Sequence, residues 1–212
     1  MTATSRVPDG DPVDRRRLRT ERGRELVVTA LLEFFDEGES QPGAARIAQR
    51  AGVSERSVFR YFDDLDTLAA EAVARQIRRT RDLFAPPDRA GDLDRRIRAL
   101  ADQRMTIHDR VSVVSAAGRR IEARAPSVAE AFASRRRLFR EQLAVQFAAE
   151  LDRHTGRART ELLDALDAAA SFEQIDQLRT VAGYARPRTR AVVVRTLHAL
   201  LDHGHPPNRS RP

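Results

Sequence analysis

Two arginines four residues apart carry the clearest chemical signal in this sequence. Arg56 and Arg60 lie in the segment Ser54-Glu-Arg-Ser-Val-Phe-Arg-Tyr61, and four-residue spacing places them on one face of a helix. A guanidinium offers two parallel N–H donors that match O6 and N7 of guanine in the major groove, and each such pair contributes about 1–3 kcal/mol of base discrimination. The pattern favours a helix that reads base edges.

Other kinds of chemistry find little support. The chain has no Cys, which excludes disulfides, thiolate metal sites and cysteine nucleophiles. It has no glycine-rich phosphate loop, no Gly-x-Ser-x-Gly elbow, no His-Glu-x-x-His motif and no EF-hand loop. Nothing pairs its many carboxylates for acid–base work. The sequence therefore predicts a protein that is not an enzyme and that carries no metal or cofactor.

The composition is typical of a helical globular protein. Of 212 residues, 41% are hydrophobic and 33% are charged, while 10 Gly and 10 Pro are few for an all-β chain. All 38 cations are Arg, and the formal charge of +7 suits a polyanionic partner. No apolar run approaches the roughly 20 residues of a membrane-spanning helix, and the start lacks a secretion signal. We expect a cytoplasmic protein that does not bind membranes.

The elements around Arg56 are predicted to form a helix-turn-helix. A helix over 44–50 is followed by a turn at 51–53 and by a second helix, which Ser54 caps and which ends near 62. Ala48 is small where the helices cross, Gly52 suits the turn, and Val58 can pack the second helix back onto the first. An αα-hairpin inside a helical core would show the same spacing. If the unit is a helix-turn-helix, its free face carries Glu55, Arg56, Ser57, Arg60 and Tyr61.

The remaining pattern predicts an all-α chain with an N-terminal three-helix helix-turn-helix domain and a larger C-terminal helical dimerisation and ligand domain. Further helices are expected over 65–77, from 92 to about 105, and over 107–121, 127–153, 158–181 and 188–201, with a Pro- and Gly-containing break at 85–91. The predicted division is a mobile tail at 1–14, the DNA-binding domain at 15–64, the helical domain at 65–203 and a second mobile tail at 204–212.

A longer set of residues resembles a known family. The segments Ala30–Gly38, Ile47-Ala48, Ala51–Ser54 and Val58–Phe62, followed by Leu68, look like the DNA-binding domain of the TetR family of bacterial transcription regulators. The stretch from Arg24 through Leu68, which contains these segments, covers about a fifth of the chain. The resemblance implies a homodimer that binds a palindromic double-stranded DNA operator. It also implies repression, the usual mode of the family, and release by a small-molecule effector.

The resemblance also implies roles for individual residues. Glu55, Arg56 and Arg60 fall where the family contacts base edges, and Ser57 and Tyr61 fall where it contacts the DNA backbone. Gly43 and Ala44 open the first helix of the motif, where a Thr often touches phosphate. Gly43 has no hydroxyl, so we expect its amide or that of Ala44 to donate instead.

Two more positions depart from the family pattern. Phe59 stands where a Tyr often offers its hydroxyl to phosphate, and Leu65 stands where a Lys often binds phosphate. We expect both side chains to pack instead, and the cluster of arginines from Arg15 to Arg24, which includes Arg19, to supply the missing phosphate contacts. A solvated, frayed helix start would have the same composition. Residues 1–64 hold eleven Arg and twelve acidic residues, so their net charge is −1 and only local patches are basic.

The last two predicted helices are candidates for a dimer junction. The final helix is apolar nearly all round and must be covered on two sides, by its own chain and by a partner. A buried helix of a single-chain core would look similar. The predicted dimerisation residues are Leu162, Leu166, Ala169, Val193, Leu197 and Leu200.

In the family, the middle helices enclose the effector pocket. The chain offers apolar side chains with a few polar groups there, although the Phe residues could simply fill the core and His108 could be satisfied or exposed. The Arg-rich run at 134–140 has the pattern of a solvated face more than of an anion site. The predicted ligand-binding residues are Met105, His108, Phe132, Phe139 and Gln142.

Two alternative functions remain open at this point. The chain could be a helical DNA-binding regulator that responds to no ligand. It could also be an Arg-rich helical protein of anionic membrane surfaces, for which the predicted helix over 127–153 comes closest to a basic face opposite an apolar one.

Overall fold

The computed structural model describes residues 12–202, with side chains from Arg17 onward. No strand occurs in that range, so the predicted all-α class is confirmed. The helices are α1 Pro12–Asp36, α2 Ala44–Ala51, α3 Glu55–Tyr61, α4 Leu65–Arg79, α5 Leu93–Ile121, α6 Pro126–Gln146, α7 Ala148–Leu151, α8 Gly156–Ala170, α9 Phe172–Asp176 and α10 Arg186–Asp202. A 3₁₀ turn, Arg81–Phe84, follows α4, and a π-helical turn, Gln177–Val181, follows α9.

Helix α1 starts at Pro12, three residues inside the predicted N-terminal tail. The rest of that tail and the whole predicted C-terminal tail lie outside the described residues.

The geometry of the short turn between α2 and α3 follows from its sequence. Gly52 ends α2 in the left-handed region, with φ 67°, a conformation that glycine adopts without steric cost. Ser54 then caps α3, because its Oγ accepts a hydrogen bond from Ser57 N at 3.2 Å. Val58 faces the first helix and is 0% exposed. These three residues fix the direction in which α3 leaves the turn.

The apolar side chains form two main cores. The first joins α1–α4 to the C-terminal half of α5 and the start of α6, including Val114, Ile121 and Phe132. The second joins the N-terminal half of α5 to α6–α10 and includes Leu100 and Leu197. Helix α5, 29 residues long, contributes to both. It therefore connects the helix-turn-helix end of the chain to the C-terminal helices.

Three predicted helix boundaries were wrong. The helices predicted on either side of residue 106 are one helix, α5, because no Gly or Pro lies near the predicted junction. The helix predicted over 127–153 breaks at Phe147, whose φ of −117° leaves the helical region while its ring is buried in the second core. The helix predicted over 158–181 breaks at Ser171, whose extended backbone and side-chain oxygen cap α9.

Truncating the side chain that holds α3 in place tests this packing. We expect Val58→Ala to lower the free energy of unfolding by about 2 kcal/mol, because it removes two buried methyl groups and leaves a cavity. Urea denaturation of the full chain measures the change. Phe59→Ala, one residue away and exposed, is the matched control and should change stability by less than about 0.5 kcal/mol. Equal losses in the two variants would contradict the packing described here.

Candidate nucleic-acid interface

Helix α3 presents one continuous exposed face, formed by Glu55, Arg56, Phe59 and Arg60. Arg56 makes no hydrogen bond or ion pair with any described residue. The only hydrogen bond of the Arg60 side chain there goes from Nη2 to Tyr61 Oη, at 3.1 Å. Both guanidiniums therefore have most of their N–H donors free for an external acceptor.

The two residues predicted to contact the DNA backbone are only half-exposed. Ser57 Oγ lies 2.9 Å from Ser54 Oγ, so this hydroxyl takes part in the cap of α3. Tyr61 contacts α1 at Gly23, and a Cβ atom at position 23 would overlap the phenol ring. A side chain at position 23 would therefore require the Tyr61 ring to move.

Of the two side chains expected to pack, only one does. Leu65 is half-buried and packs against the first core. Phe59 is 48% exposed, so the expectation that it packs was wrong. The neighbouring Val58 already fills the crossing with α2, and the next position along a helix points about 100° away. An exposed Phe beside two arginines can contact a thymine methyl group in the major groove.

The described arginines in the first half of α1 fall into three groups. Arg17 is exposed and pairs with Glu21 of the same helix, at 2.9 Å. Arg19 and Arg22 are exposed and form no ion pair with any described residue, so they remain candidates for phosphate contacts. Arg24 instead points inward. Its Nη1 donates to Tyr61 O at 2.7 Å, its Nε donates to Glu71 Oε2 at 3.0 Å, and its guanidinium carbon lies 4.2 Å from the centroid of the Phe62 ring. The side chains of Arg15 and Arg16 lie outside the described residues.

Ion pairs at this end of the molecule engage two arginines and two acidic residues outside α3. Arg46 and Arg50 of α2 pair with Glu39 and Glu37, at 2.5 and 2.8 Å, and both guanidiniums lie over the ring of Phe34. Both acids are thus paired with arginines of α2 and not with the exposed arginines of α3. Arg56 keeps its charge unpaired among the described residues even though the local sum is negative.

The start of α2 has the geometry expected of an anion contact. Gly43 is exposed and caps the helix with an extended backbone, φ −73° and ψ 157°, and no side chain covers it. Ala44 is buried, so only its amide is relevant. Amides in the first turn of a helix have no intrahelical acceptor and carry partial positive charge.

A cleft of 660 Å³ opens between α4, the 3₁₀ turn, α5 and α6. Of the five predicted ligand-binding residues, only Phe132 lines it. Met105 and Phe139 are packed in the cores, and Gln142 accepts a hydrogen bond from the buried Arg104 at 2.7 Å. His108 is also buried and lies 3.1 Å from Asp176 Oδ1. Burial lowers the pKa of His108, although Asp176 acts in the opposite direction.

The sequence did not single out the polar residue that the structure places in this cleft. Arg135 belongs to the Arg-rich run that was expected to be a solvated face, yet its side chain is only 9% exposed. Burial lowers its pKa to about 10, so it still carries a charge at neutral pH. Its neighbours Arg136 and Arg137 are exposed, as expected. Three consecutive arginines give no helical period that distinguishes the inward one.

The predicted dimerisation residues occupy two environments. Leu166, Val193 and Leu197 are buried within the second core of the single chain. The other three, Leu162, Ala169 and Leu200, are half-buried at the edge of that core. The outer face of α10 carries small side chains such as Ala191, which is exposed.

These features define an all-α chain whose N-terminal helix-turn-helix presents a cationic helix to solvent. No protein-family model matches the sequence, and no curated protein matches it. Solved structures do match the fold. One is a transcriptional regulator from Rhodococcus sp. RHA1, with a TM-score of 0.61 and 20% identity, covering 84% of this chain and 96% of that chain.

Two further neighbours come from Streptomyces coelicolor. A TetR-family transcriptional regulator has a TM-score of 0.63 and 19% identity, covering 87% of this chain and 82% of its own. A second protein, from strain A3(2) and provisionally described as a transcriptional regulator, has a TM-score of 0.52 and 25% identity, covering 83% of this chain and 98% of its own. The chain therefore has the fold of TetR-family regulators, in agreement with the resemblance of its motif.

Gly23→Ala tests the contact that sets the position of α3. The added methyl group would overlap the ring of Tyr61 and push this side chain off α1, while alanine favours the helical backbone of α1. We expect binding to a selected DNA site to weaken by about tenfold or more, since displacements near 1 Å disrupt base contacts made in a fixed geometry. Fluorescence anisotropy with labelled DNA measures this.

Leu26→Ala, at an exposed position of the same helix that has no predicted DNA contact, is the control for that variant and should retain most of the affinity. If Gly23→Ala bound DNA as tightly as the wild type, the spacing of α1 and α3 would not matter for binding.

Proposed function

We propose that this chain is a TetR-like transcription regulator that binds a palindromic operator as a homodimer in the cytoplasm. It acts as a repressor and is released by a small-molecule effector. The protein binds ligands and DNA and catalyses no reaction.

The observation that carries this proposal is the exposed face of α3. It offers unpaired guanidinium donors at Arg56 and the mostly free guanidinium of Arg60, on a helix held by Val58 and Tyr61. Free, planar, bidentate donors on a fixed helix match the edges of guanine in the major groove. The amides at the start of α2 and the exposed Arg19 and Arg22 lie on neighbouring elements and can contact phosphates on either side.

A dimer is proposed because one such helix reads too few base pairs to be selective. Two reading helices about 34–36 Å apart would contact successive major grooves on one side of a duplex. Helices α8 and α10 supply the junction in this proposal. Leu162, Ala169 and Leu200 remain half-exposed there, and small side chains allow a partner helix to approach closely.

Selection of bound DNA from a random pool tests the proposal. We expect a two-fold-symmetric consensus with at least one G·C pair required in each half-site. Arg60→Ala should lose about 1–3 kcal/mol of discrimination at one symmetric pair of positions and leave the others unchanged. Arg110→Ala, which removes an exposed arginine of α5, is the matched charge control. A pool that yields no symmetric consensus would overturn the proposal.

A second experiment with the purified protein distinguishes binding to anionic membranes from the proposed function. Among the described residues, no helix is long and apolar enough to cross a bilayer. Pelleting with vesicles rich in anionic lipid, compared with a mobility shift on the selected DNA, would distinguish surface binding to lipid from DNA binding.

The proposed junction predicts the effect of a bulky charge on its surface. We expect light scattering to give a dimer mass for the wild type at micromolar concentration and to shift toward the monomer for Ala191→Glu, because a carboxylate would be buried against the partner helix. Ala123→Glu, in the exposed turn after α5, is the control and should stay dimeric. A monomeric wild type would contradict the proposed dimer.

A further inference from the structure

The cleft between α4, α5 and α6 combines an apolar wall with a cation at its inner side. Eight of the nineteen residues that line the cleft are aliphatic or aromatic, and they come from all three helices and the 3₁₀ turn. They include Val73, Ile77, Phe84, Val111, Phe132 and Leu138. A cleft that combines an apolar wall with polar groups is typical of a small-molecule site.

Two of the polar residues that line this cleft, Arg135 and Ser115, are largely buried. Arg135 Nη1 donates to Ser115 Oγ at 3.0 Å, and the guanidinium carbon lies 4.1 Å from the centroid of the Phe172 ring. The carboxylate of Glu173 is 3.6 Å from Arg135 Nη2, beyond ordinary hydrogen-bond distance. The Nε–H of Arg135 is buried and has no partner among the described residues.

Burial of a guanidinium is costly unless acceptors surround its charge. Arg135 has one hydroxyl, aromatic rings and a long ion pair with the exposed Glu173, at 3.6 Å. Arg135 has an unpaired N–H donor and borders the cleft, so an external anion could supply a further acceptor for its guanidinium.

The charged residues around the cleft also favour an anionic ligand. The lining residues include four arginines and two glutamates, and Arg137 is paired with Glu130 at 2.6 Å. Arg78 and Arg81 form no ion pair with any described residue. The excess of positive charge attracts anions and disfavours cationic ligands.

We propose that this cleft binds a small carboxylate with an apolar body, and that Arg135 and Ser115 hold the carboxylate while the apolar wall takes the body. One buried guanidinium with one hydroxyl suits a singly charged group, since a dianion would need more donors at the same depth. This inference rests on the proposed function, because it names the chemical class of the effector.

The position of the cleft relates such a ligand to DNA binding. The last turns of α4 supply Ile77 and Arg78 to the cleft, and the same helix contacts α1 through the pair of Glu71 with Arg24. Arg24 in turn donates to the backbone of Tyr61 at the end of α3. A ligand that favours one position of α4 therefore changes the position of the reading helix, and its differential affinity sets the size of the effect.

Isothermal titration of the full chain tests the inference with two carboxylates and their neutral counterparts: decanoate against decanamide, and 2-naphthoate against 2-naphthamide. We expect at least one carboxylate to bind about tenfold or more tightly than its amide. Preference for decanoate would indicate an acyl chain, and preference for 2-naphthoate an aryl body. No binding of either carboxylate, or equal binding of acids and amides, would overturn the inference.

Two variants of adjacent arginines locate the site. Arg135→Gln should lose about tenfold or more of the affinity for the preferred carboxylate and leave binding of its amide unchanged. Arg136→Gln removes the same charge from the exposed position next to it and should bind like the wild type. Equal affinities in the two variants would overturn the assignment to Arg135.

If circular dichroism shows that Arg135→Gln does not fold, Ser115→Ala decides the question. This variant removes one hydroxyl that bonds to Arg135, and a loss of about threefold or more in carboxylate affinity supports the site. Unchanged affinity overturns it.

The test of carboxylate binding and the test of DNA binding can fail independently. A chain that selects a palindrome but shows no preference for carboxylates would refute this inference alone. A chain that binds the carboxylate through Arg135 but selects no DNA would refute the proposed function and leave the site in place.

Discussion

A helix of seven residues cannot hold its shape in water, because nucleation of a helix is unfavourable and short helices gain too few hydrogen bonds to offset it. The orientation of α3 therefore depends on what packs against it. Val58 anchors one side to α2, and Tyr61 rests on Gly23 of α1. The direction in which the exposed arginines point follows from this anchoring, since side chains on a frayed segment would have no fixed direction.

Arg24 extends this constraint from the reading helix to the rest of the molecule. One guanidinium bonds to the carbonyl of Tyr61, pairs with Glu71 of α4 and covers the ring of Phe62. Because the group is about two-fifths exposed, the ion pair itself contributes little to stability. Its importance is geometric. The guanidinium of Arg24 connects α1 to both α3 and α4, so a displacement of α4 also affects the position of α3.

The sequence predicted the helix-turn-helix well because its determinants are local. The φ of Gly52, the cap at Ser54 and the buried position of Val58 each depend on residues within one or two turns. The break at Phe147 and the inward position of Arg135 depend on packing between distant helices, which no local pattern encodes. The prediction that Phe59 is packed was wrong for a related reason. Hydrophobicity alone does not show which face of a helix is already covered by other side chains.

The contrast between two buried arginines shows why the cleft differs from ordinary core packing. Arg104 is more deeply buried than Arg135, and burial lowers its pKa to about 9. Its Nη atoms donate to the side-chain oxygen of Gln142 and to the carbonyl of Phe139, at 2.7 and 3.3 Å, so neutral oxygens from the same chain enclose its charge. Arg135 has one such oxygen, in Ser115, and a cleft beside it. The Nε–H of each guanidinium is buried without a partner among the described residues, so the two arginines differ in what lies beside them: protein surrounds Arg104, whereas Arg135 borders the cleft.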